Sequence, residues 1–412
     1  MFKKYTGGNA NNKKIHWVAL VENHAYPADA RVRPHIETLA DAGYDVTVIS
    51  PREKGQSWYE KVNGVQVYRF FLPAYGSGAT SYLMEFLHAT FVMTLLTLWV
   101  WFRHGIDILH VYNPPDTLFI AALLPKLAGK TILFDLRDLS PELYVSKYEN
   151  HIQILYKLLV WFERVTCRVA NHVITTNETY RKIIIERDGL NPSQVSVVRH
   201  GPDLMRGYLV KPDADIRSRA RIIIGYLGSM AKEDGIDHLL QALYILDKHY
   251  SHLDWFCILI GPTDDLEGLQ QLARELGVQD RVWFTGYLRF EQWVSVLSAA
   301  DICIEPAPSN PVNNISTTNK LMDYMALGKP VVGYGLTEQR VTAGEAALYA
   351  KPNDPIDMAK QIALLMENPE LRAHMGTIGR RRIEEQLAWQ HQKERLLSIC
   401  ERLTEKNSVQ VT

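Results

Sequence analysis

Short runs of valine, isoleucine and leucine alternate along the chain with stretches whose apolar residues recur at helical spacing. That rhythm predicts parallel βαβ units from end to end. In the first half the runs are Ile15–Val21, Val46–Ile49, Val65–Phe71, Ile106–Val111, Thr131–Asp135, His172–Thr175 and Val195–Val198. Their unbroken apolar character predicts strands covered on both faces. Residues 207–221 turn polar, with the run KPDADIRSR, and read as a linker. The pattern then restarts at Ile222–Leu227, Trp255–Ile260, Val282–Thr285, Ile302–Glu305, Pro330–Val332 and Ala347–Tyr349, before a charged helical tail from Asp354 to about Thr404. The expected architecture is α/β. Two doubly wound, Rossmann-like domains would span residues 15–206 and 222–388, after a flexible arm at 1–14. A final helix in 389–412 would return toward the first domain. Such sheets bind ligands beyond their strand C-termini, so a cleft between the domains is the expected site.

One segment departs from this rhythm. Ala89–Phe102, ATFVMTLLTLWVWF, is an uncharged run of roughly fourteen residues, short of the ~20 that span a bilayer. Two readings stand: a helix packed on the first sheet, or an interfacial helix that lays Trp99, Trp101 and Phe102 against the inner face of a membrane. Basic residues such as Lys54, Lys61 and Arg69 form no run that would support the second.

Charge excludes one class of partner. With 45 basic and 46 acidic residues in 412, net charge gives no reason to expect a nucleic acid. The four cysteines, Cys167, Cys257, Cys303 and Cys400, are widely spaced, which suits buried thiols in a reducing cytoplasm. Met1–Lys14 is polar and does not read as a signal peptide. No cluster has metal-ligand spacing, so no metal or other cofactor is expected.

Chemistry concentrates in NNISTTNKLMDYMALGKPVV, Asn313–Val332. Ser316, Thr317, Thr318 and Asn319 are N-cap residue types opening a helix that ends near Gly328. A helix start offers unpaired N–H groups and a positive dipole end to a phosphate. Asp323 would lie about two turns from Ser316 on a similar face, placed for sugar hydroxyls, and Lys320 could add a point charge to the phosphate. An ordinary capped amphipathic helix explains the same residues equally well. In the same half, GYLGSMAKEDGID places Gly228, Ser229 and Lys232 at a strand end, where a ligand can approach bare backbone. Gly261 and Gly286 mark two further strand-end turns suited to a flat base. In the first half, ENHAYPADARVR holds Asn23 and His24, HVYNPPD holds Asn113 and Asp116, and DLRDLSPELY holds Asp135, Arg137 and Asp138. All three follow strands and so share one rim. His110, inside its strand, reads as a core histidine.

Together these segments resemble the retaining, nucleotide-sugar-dependent glycosyltransferases of family 4, the group 1 enzymes of GT-B fold. The resemblance runs through DARVRPHIETLADAGYDVTVIS, VVRHGPDL, RVWFTGYL, AGEAALYA and ENPELRAHMGTIGRRRI as well as the segments above. It is nearest to the branch that assembles bacterial surface polysaccharides. The resemblance implies a donor, a UDP-sugar foremost, on the second domain, with Asp323 at the ribose. Residues Ser316–Asn319, Gly228 and Ser229 would face the diphosphate, and Gly261 and Gly286 the base. It implies an acceptor near Asn23, Asn113, Asp116 and Arg137, with Asp138, His24, Lys232 and Lys320 as catalytic candidates. The chain departs from the family pattern in five places: Ile315 and Asp323 stand at the sites of two glutamates, Ser229 replaces an arginine, Asp234 a lysine, and Arg137 a histidine.

The implied reaction is hexosyl transfer with retention to a hydroxyl acceptor, a lipid-linked saccharide of the cell envelope being the leading candidate. The enzyme would be cytoplasmic or peripheral on the inner leaflet. Two alternatives stay open, a UDP-sugar epimerase of the same fold and a non-catalytic partner subunit.

Overall fold

The computed structural model describes residues 14–73, 78–148 and 152–409. Nearly all of the expected N-terminal arm lies outside that range. The chain divides into two compact units, residues 14–200 with 392–409, and residues 201–391.

Unit 1 is built on eight strands: β1 His16–Leu20, β2 Asp45–Pro51, β3 Tyr59–Val62, β4 Val65–Phe70, β5 Ile108–Tyr112, β6 Thr131–Leu136, β7 His172–Thr175 and β8 Val195–Val197. Their order across the sheet is β3-β4-β2-β1-β5-β6-β7-β8, parallel except for β3 against β4. The apolar runs fixed these strands because β1, β2, β5, β6 and β7 bury nearly every residue. β3 has no such run. Its sequence YEKV alternates exposed and half-buried positions at the sheet edge, so only its pairing with β4 reveals it. The helices of this unit are α1 Arg33–Asp41, α2 Ala79–His104, α3 Phe119–Leu127, α4 Ser140–Lys147, α5 Gln153–Val169 and α6 Glu178–Asp188. Crossovers run one way from β1 to β2 and the other way from β5 onward. Right-handed connection therefore puts α1 on one face and α2, α3 and α5 side by side on the other.

Unit 2 carries a six-stranded sheet: β9 Ile222–Leu227, β10 Trp255–Ile260, β11 Val282–Gly286, β12 Ile302–Glu305, β13 Val331–Gly333 and β14 Ala347–Tyr349. The order is β11-β10-β9-β12-β13-β14, parallel throughout. Its helices are α7 Ala214–Arg217, α8 Ile236–His249, α9 Leu266–Glu275, α10 Phe290–Ser298, α11 Asn319–Ala326, α12 Thr337–Ala343, α13 Pro355–Glu367 and α14 Pro369–Arg382. Two apolar layers, one on each sheet face, form its core.

The segment read as a linker is part of unit 2. Tyr208 and Ile216 are buried in its core, and Asp213 caps α7 by accepting from the N–H groups of Asp215 and Ile216. Polar sequence here reflects a capped turn over a buried anchor. The last helix, α15 Trp389–Val409, returns to unit 1 from Gln392 onward. Gln392 accepts from the Arg199 N–H at 3.1 Å, and Leu396, Ile399 and Cys400 are buried.

Candidate functional site

In unit 2 the strand order reverses between β9 and β12, which marks the crevice where doubly wound sheets take ligands. Gly228 follows β9 there with φ 145°, and a side chain at that position would meet Lys320 Cε at 2.8 Å. Gly261, after β10, packs its α-carbon on the Gly228 carbonyl so closely that no side chain fits. The Gly228 N–H donates to Ile260 and the Gly261 N–H to Gly286, at 2.9 and 3.0 Å. Three strand ends thus form one shelf of bare backbone. Beside it a cleft of about 590 Å³ is lined by Ser229, Lys232, Thr263, Asp265 and Leu272, a size typical of small-ligand sites.

Lys320 lies beside this shelf, but its ammonium is turned inward. It donates to Asp234 Oδ1 at 2.7 Å and to the Tyr226 hydroxyl at 2.8 Å, with Glu305 Oε1 at 3.9 Å. Burial works against its charge, yet Glu305, Tyr226 and Asp234 outweigh that and hold its pKa above the ordinary lysine value. Glu305 is fully buried, and that burial raises its carboxyl above the usual range. Ser229, expected to reach a phosphate, donates its hydroxyl to Asp234 Oδ2 at 2.9 Å. Asp234, which accepts from Ser229, the Ala231 N–H and Lys320, therefore organises this corner. Lys232 remains exposed at the cleft.

The motif around Asp323 is arranged differently from the spacing argument. α11 begins at Asn319, so Ser316 and Thr317 lie in the loop before it and the two-turn register with Asp323 does not exist. Thr318 is the N-cap by backbone, without a side-chain cap. Its hydroxyl donates to Glu305 at 3.3 Å, and that of Thr317 to Glu338 at 3.1 Å. Buried acids recruit hydroxyls that capping would otherwise use. The first turn of α11 still points its N–H groups away from the helix, starting next to the glycine shelf. Asp323 accepts from the Tyr208 hydroxyl at 2.6 Å. Burial lifts its pKa to about 7, against the lowering effect of that bond and of Arg206. Tyr208 in turn packs edge-on against Phe290 and Trp293.

In unit 1 the order reverses between β1 and β5. Asn23 and His24 are exposed just beyond β1. Asp138 is half-buried, 3.6 Å from Arg31. The other acceptor candidates serve the fold. Asn113 spends its amide on Asp116 and the Asp138 carbonyl and accepts from the Arg137 N–H, which ties the β5 loop to the β6 loop. Asp116 is buried beneath it, and that burial raises its pKa to about 6. Arg137 is also buried, 3.5 Å from Asp135 and 3.9 Å from Asp29, with its guanidinium over the Tyr112 ring. Loop position alone made these residues look available. Their mutual hydrogen bonds, unreadable in sequence, consume them.

The fold also gathers His35, His110 and Asp135, whose ligand atoms lie within 4.8 Å of one another. Sequence spacing gave no hint of this cluster. Burial opposes the Asp135 charge, but Arg137 and both histidines outweigh it and hold the carboxyl well below the usual range. Burial likewise pushes His110 down to about 4, so it is neutral. With a guanidinium already on the carboxylate, the cluster is a buried charge network and a poor cation site.

Two family models match the chain: the glycosyl transferase 4-like domain over residues 28–201 and glycosyl transferases group 1 over residues 221–368. The chain belongs to the group 1 glycosyltransferases. Among its relatives, an uncharacterized glycosyltransferase of Methanocaldococcus jannaschii is 23% identical over 262 residues, 63% of this chain and 64% of that protein. The solved sucrose-phosphate synthase from Thermosynechococcus elongatus matches with a TM-score of 0.77 at 18% identity, covering 95% of this chain and 100% of that one. HepE from Anabaena, in complex with UDP and glucose, gives 0.70 at 16%, over 94% and 100%. These structures establish the GT-B fold for this glycosyltransferase family member. The chain spans 57–64% of the length of the curated relatives it matches first.

In this group 1 chain the loop ENHAYPADARVR, polar in sequence, opens on an acid that the fold buries. Glu22, at the end of β1, is buried beside α2. That burial, helped by Glu85, raises its pKa to about 8. A raised carboxyl stabilises the fold below its unfolded pKa near 4.5 and loses that contribution as pH rises through 8. Asp323 and Asp116 have the same sign. Asp135 and Asp29 have the opposite sign, because their depressed pKa values cost stability only as pH falls below about 4. His35, His110 and His200, whose pKa values burial lowers, act the other way below their unfolded value of 6.5, so urea midpoints should fall between pH 7 and pH 9. Glu22→Gln should flatten that slope, since each pKa unit is worth about 1.4 kcal/mol. An unchanged slope would show that Glu22 titrates normally.

Proposed function

We propose that this chain transfers a sugar from a nucleoside diphosphate donor, a UDP-sugar foremost, to a hydroxyl acceptor, with retention of configuration. One observation carries the reading: the shelf of Gly228, Gly261 and Gly286 at the switch point, with the start of α11 and Lys320 beside it. A departing diphosphate needs its charge met by preorganised donors. Here those are the first N–H groups of α11, exposed Lys232, and Lys320 once the phosphate competes for it with Asp234. Asp323 then exchanges the Tyr208 hydroxyl for ribose hydroxyls. On unit 1, exposed Asn23 and His24 and half-buried Asp138 are the groups left to orient an acceptor. Asp138 or His24 is assigned the acceptor proton. A lipid-linked saccharide of the cell envelope is the acceptor proposed, made at the cytoplasmic side. HepE, solved with UDP and glucose, supports the choice of base.

A second reading, a non-catalytic partner subunit, is favoured by one feature: Asp234 and Glu305 already neutralise Lys320. Calorimetric titration with UDP, GDP and ADP, paired with hydrolysis of their glucose conjugates, separates the two. The transferase reading expects one nucleotide to bind and its sugar conjugate to turn over. Asp323→Ala should weaken that binding about 10- to 100-fold, the scale of one or two charge-assisted hydrogen bonds. Tyr208→Phe should leave it equal or tighter, because the carboxylate loses only a competitor. Failure of every nucleotide to bind sinks the proposal and leaves the partner reading.

A further inference from the structure

α2 resolves the two readings of its sequence by having two apolar faces. Ala89, Met93, Thr97 and Val100 are buried against the rest of unit 1, and the Thr90 hydroxyl meets that of Thr117 at 2.6 Å. The opposite face carries Met84, Leu87, Phe91, Leu95, Trp99 and Phe102 at successive turns, all exposed, with Phe102 86% exposed. A helix apolar all round is normally covered on every side. Its neighbours continue the surface. On α3, Ile120, Leu124 and Leu127 are exposed, Leu127 at 82%. On α5, Ile154, Leu158 and Trp161 are exposed, Ile154 at 73%. The three helices lie side by side on one sheet face, and the Trp161 ring reaches Phe119 at the start of α3 at 6.4 Å. Isolated exposed leucines need no explanation, but a contiguous apolar face across three helices does.

Charge selects the occupant. Arg103, Lys147, Lys157 and Arg168 stand exposed on α2, α4 and α5. Of the acids on these helices and α3, Glu142 and Glu163 are ion-paired with Arg187, which leaves Glu85 alone among the described residues. An isologous dimer through this face would set a cationic rim against its own copy. An anionic lipid surface complements it. The inner face of α2 is committed to its own unit, so the helix lies along a membrane and does not cross it. We propose that α2, α3 and α5 form a docking face for an anionic bilayer, with the aromatic and aliphatic side chains inserted at the headgroup boundary and the basic residues on the phosphates.

Flotation of the full chain with vesicles of phosphatidylglycerol and phosphatidylcholine, and with phosphatidylcholine alone, tests this. The chain should float with the anionic vesicles and should do so less as salt is raised. Phe91→Ser with Leu95→Ser should reduce binding at least ~10-fold, and so should Leu127→Glu with Ile154→Glu on the other two helices. Lys157→Glu with Arg168→Glu should cost a few-fold, all of it in the anionic component. Each variant is checked for unchanged nucleotide affinity and melting temperature, so a folding defect is recognised and the nucleotide reading stands or falls separately. Absence of flotation with any vesicle overturns the proposal. So does wild-type flotation by the α3 and α5 variant, which would confine the contact to α2. A concentration-dependent dimer in sedimentation that the same substitutions dissociate, without lipid binding, would assign the face to a second copy.

Discussion

Lys320→Met is expected to cost unit 2 about 3–5 kcal/mol, the usual result of removing one partner from a buried ion pair. The ammonium sits between Asp234 at 2.7 Å, Glu305 at 3.9 Å and the Tyr226 hydroxyl, and only 11% of its side chain is exposed. Methionine fills similar volume, so packing changes little and the loss is electrostatic. Two carboxylates then face each other across an apolar gap. The raised pKa of Glu305 lets it take up a proton, which caps the damage and should make the defect larger at pH 9 than at pH 5. Adding Asp234→Asn to Lys320→Met should restore part of the loss. Urea unfolding followed by the fluorescence of Trp255, buried in this unit, reads all three variants. A loss below about 1 kcal/mol would mean that water screens the group as it does a surface pair.

Arg137→Met should be as costly in unit 1. Its guanidinium lies 3.5 Å from Asp135 and 3.9 Å from Asp29, and both carboxyls are buried. Asp135 is held well below the usual range chiefly against burial, with Arg137 the largest favourable contribution. Without it, Asp135 must draw on His35 and His110, whose own burial keeps them neutral. The expected loss is about 3–5 kcal/mol, together with a rise in the His110 pKa above about 4, visible by proton NMR of the imidazole. Arg137→Lys should recover only part of the stability, because an ammonium cannot span both carboxylates and stack on Tyr112. A fully stable Arg137→Met protein, with nucleotide or acceptor binding as its sole defect, would return the residue to the acceptor site that its loop position suggested.

Much of the fold was legible because burial on both sheet faces leaves a simple trace. Ile222–Leu227, Trp255–Ile260 and Ile302–Glu305 were bounded by their apolar runs alone. β3 was not, since an antiparallel edge strand needs only one covered face. The candidate site was legible at its glycines, where backbone conformation restricts residue choice locally. It was illegible at its charges. Asp234, Glu305 and Tyr226 reach Lys320 from three separate segments, and no spacing in the chain announces that meeting. The same holds for Asn113, two of whose partners, Arg137 and Asp138, come from the loop after β6. The hydropathy of Ala89–Phe102 gave the existence of a helix but not its two faces, because an all-apolar sequence has no polar stripe to mark the outside.

The return of α15 to unit 1 carries a consequence for how the protein is made. Unit 1 is discontinuous: its closing piece, with Gln392 on the Arg199 amide and Cys400 beside Tyr44, is translated after every residue of unit 2. On the ribosome the second unit can therefore complete its core while the first still lacks Leu396, Ile399 and Cys400. The half of the chain synthesised first is the half that finishes folding last, and it holds its apolar three-helix surface open throughout that wait.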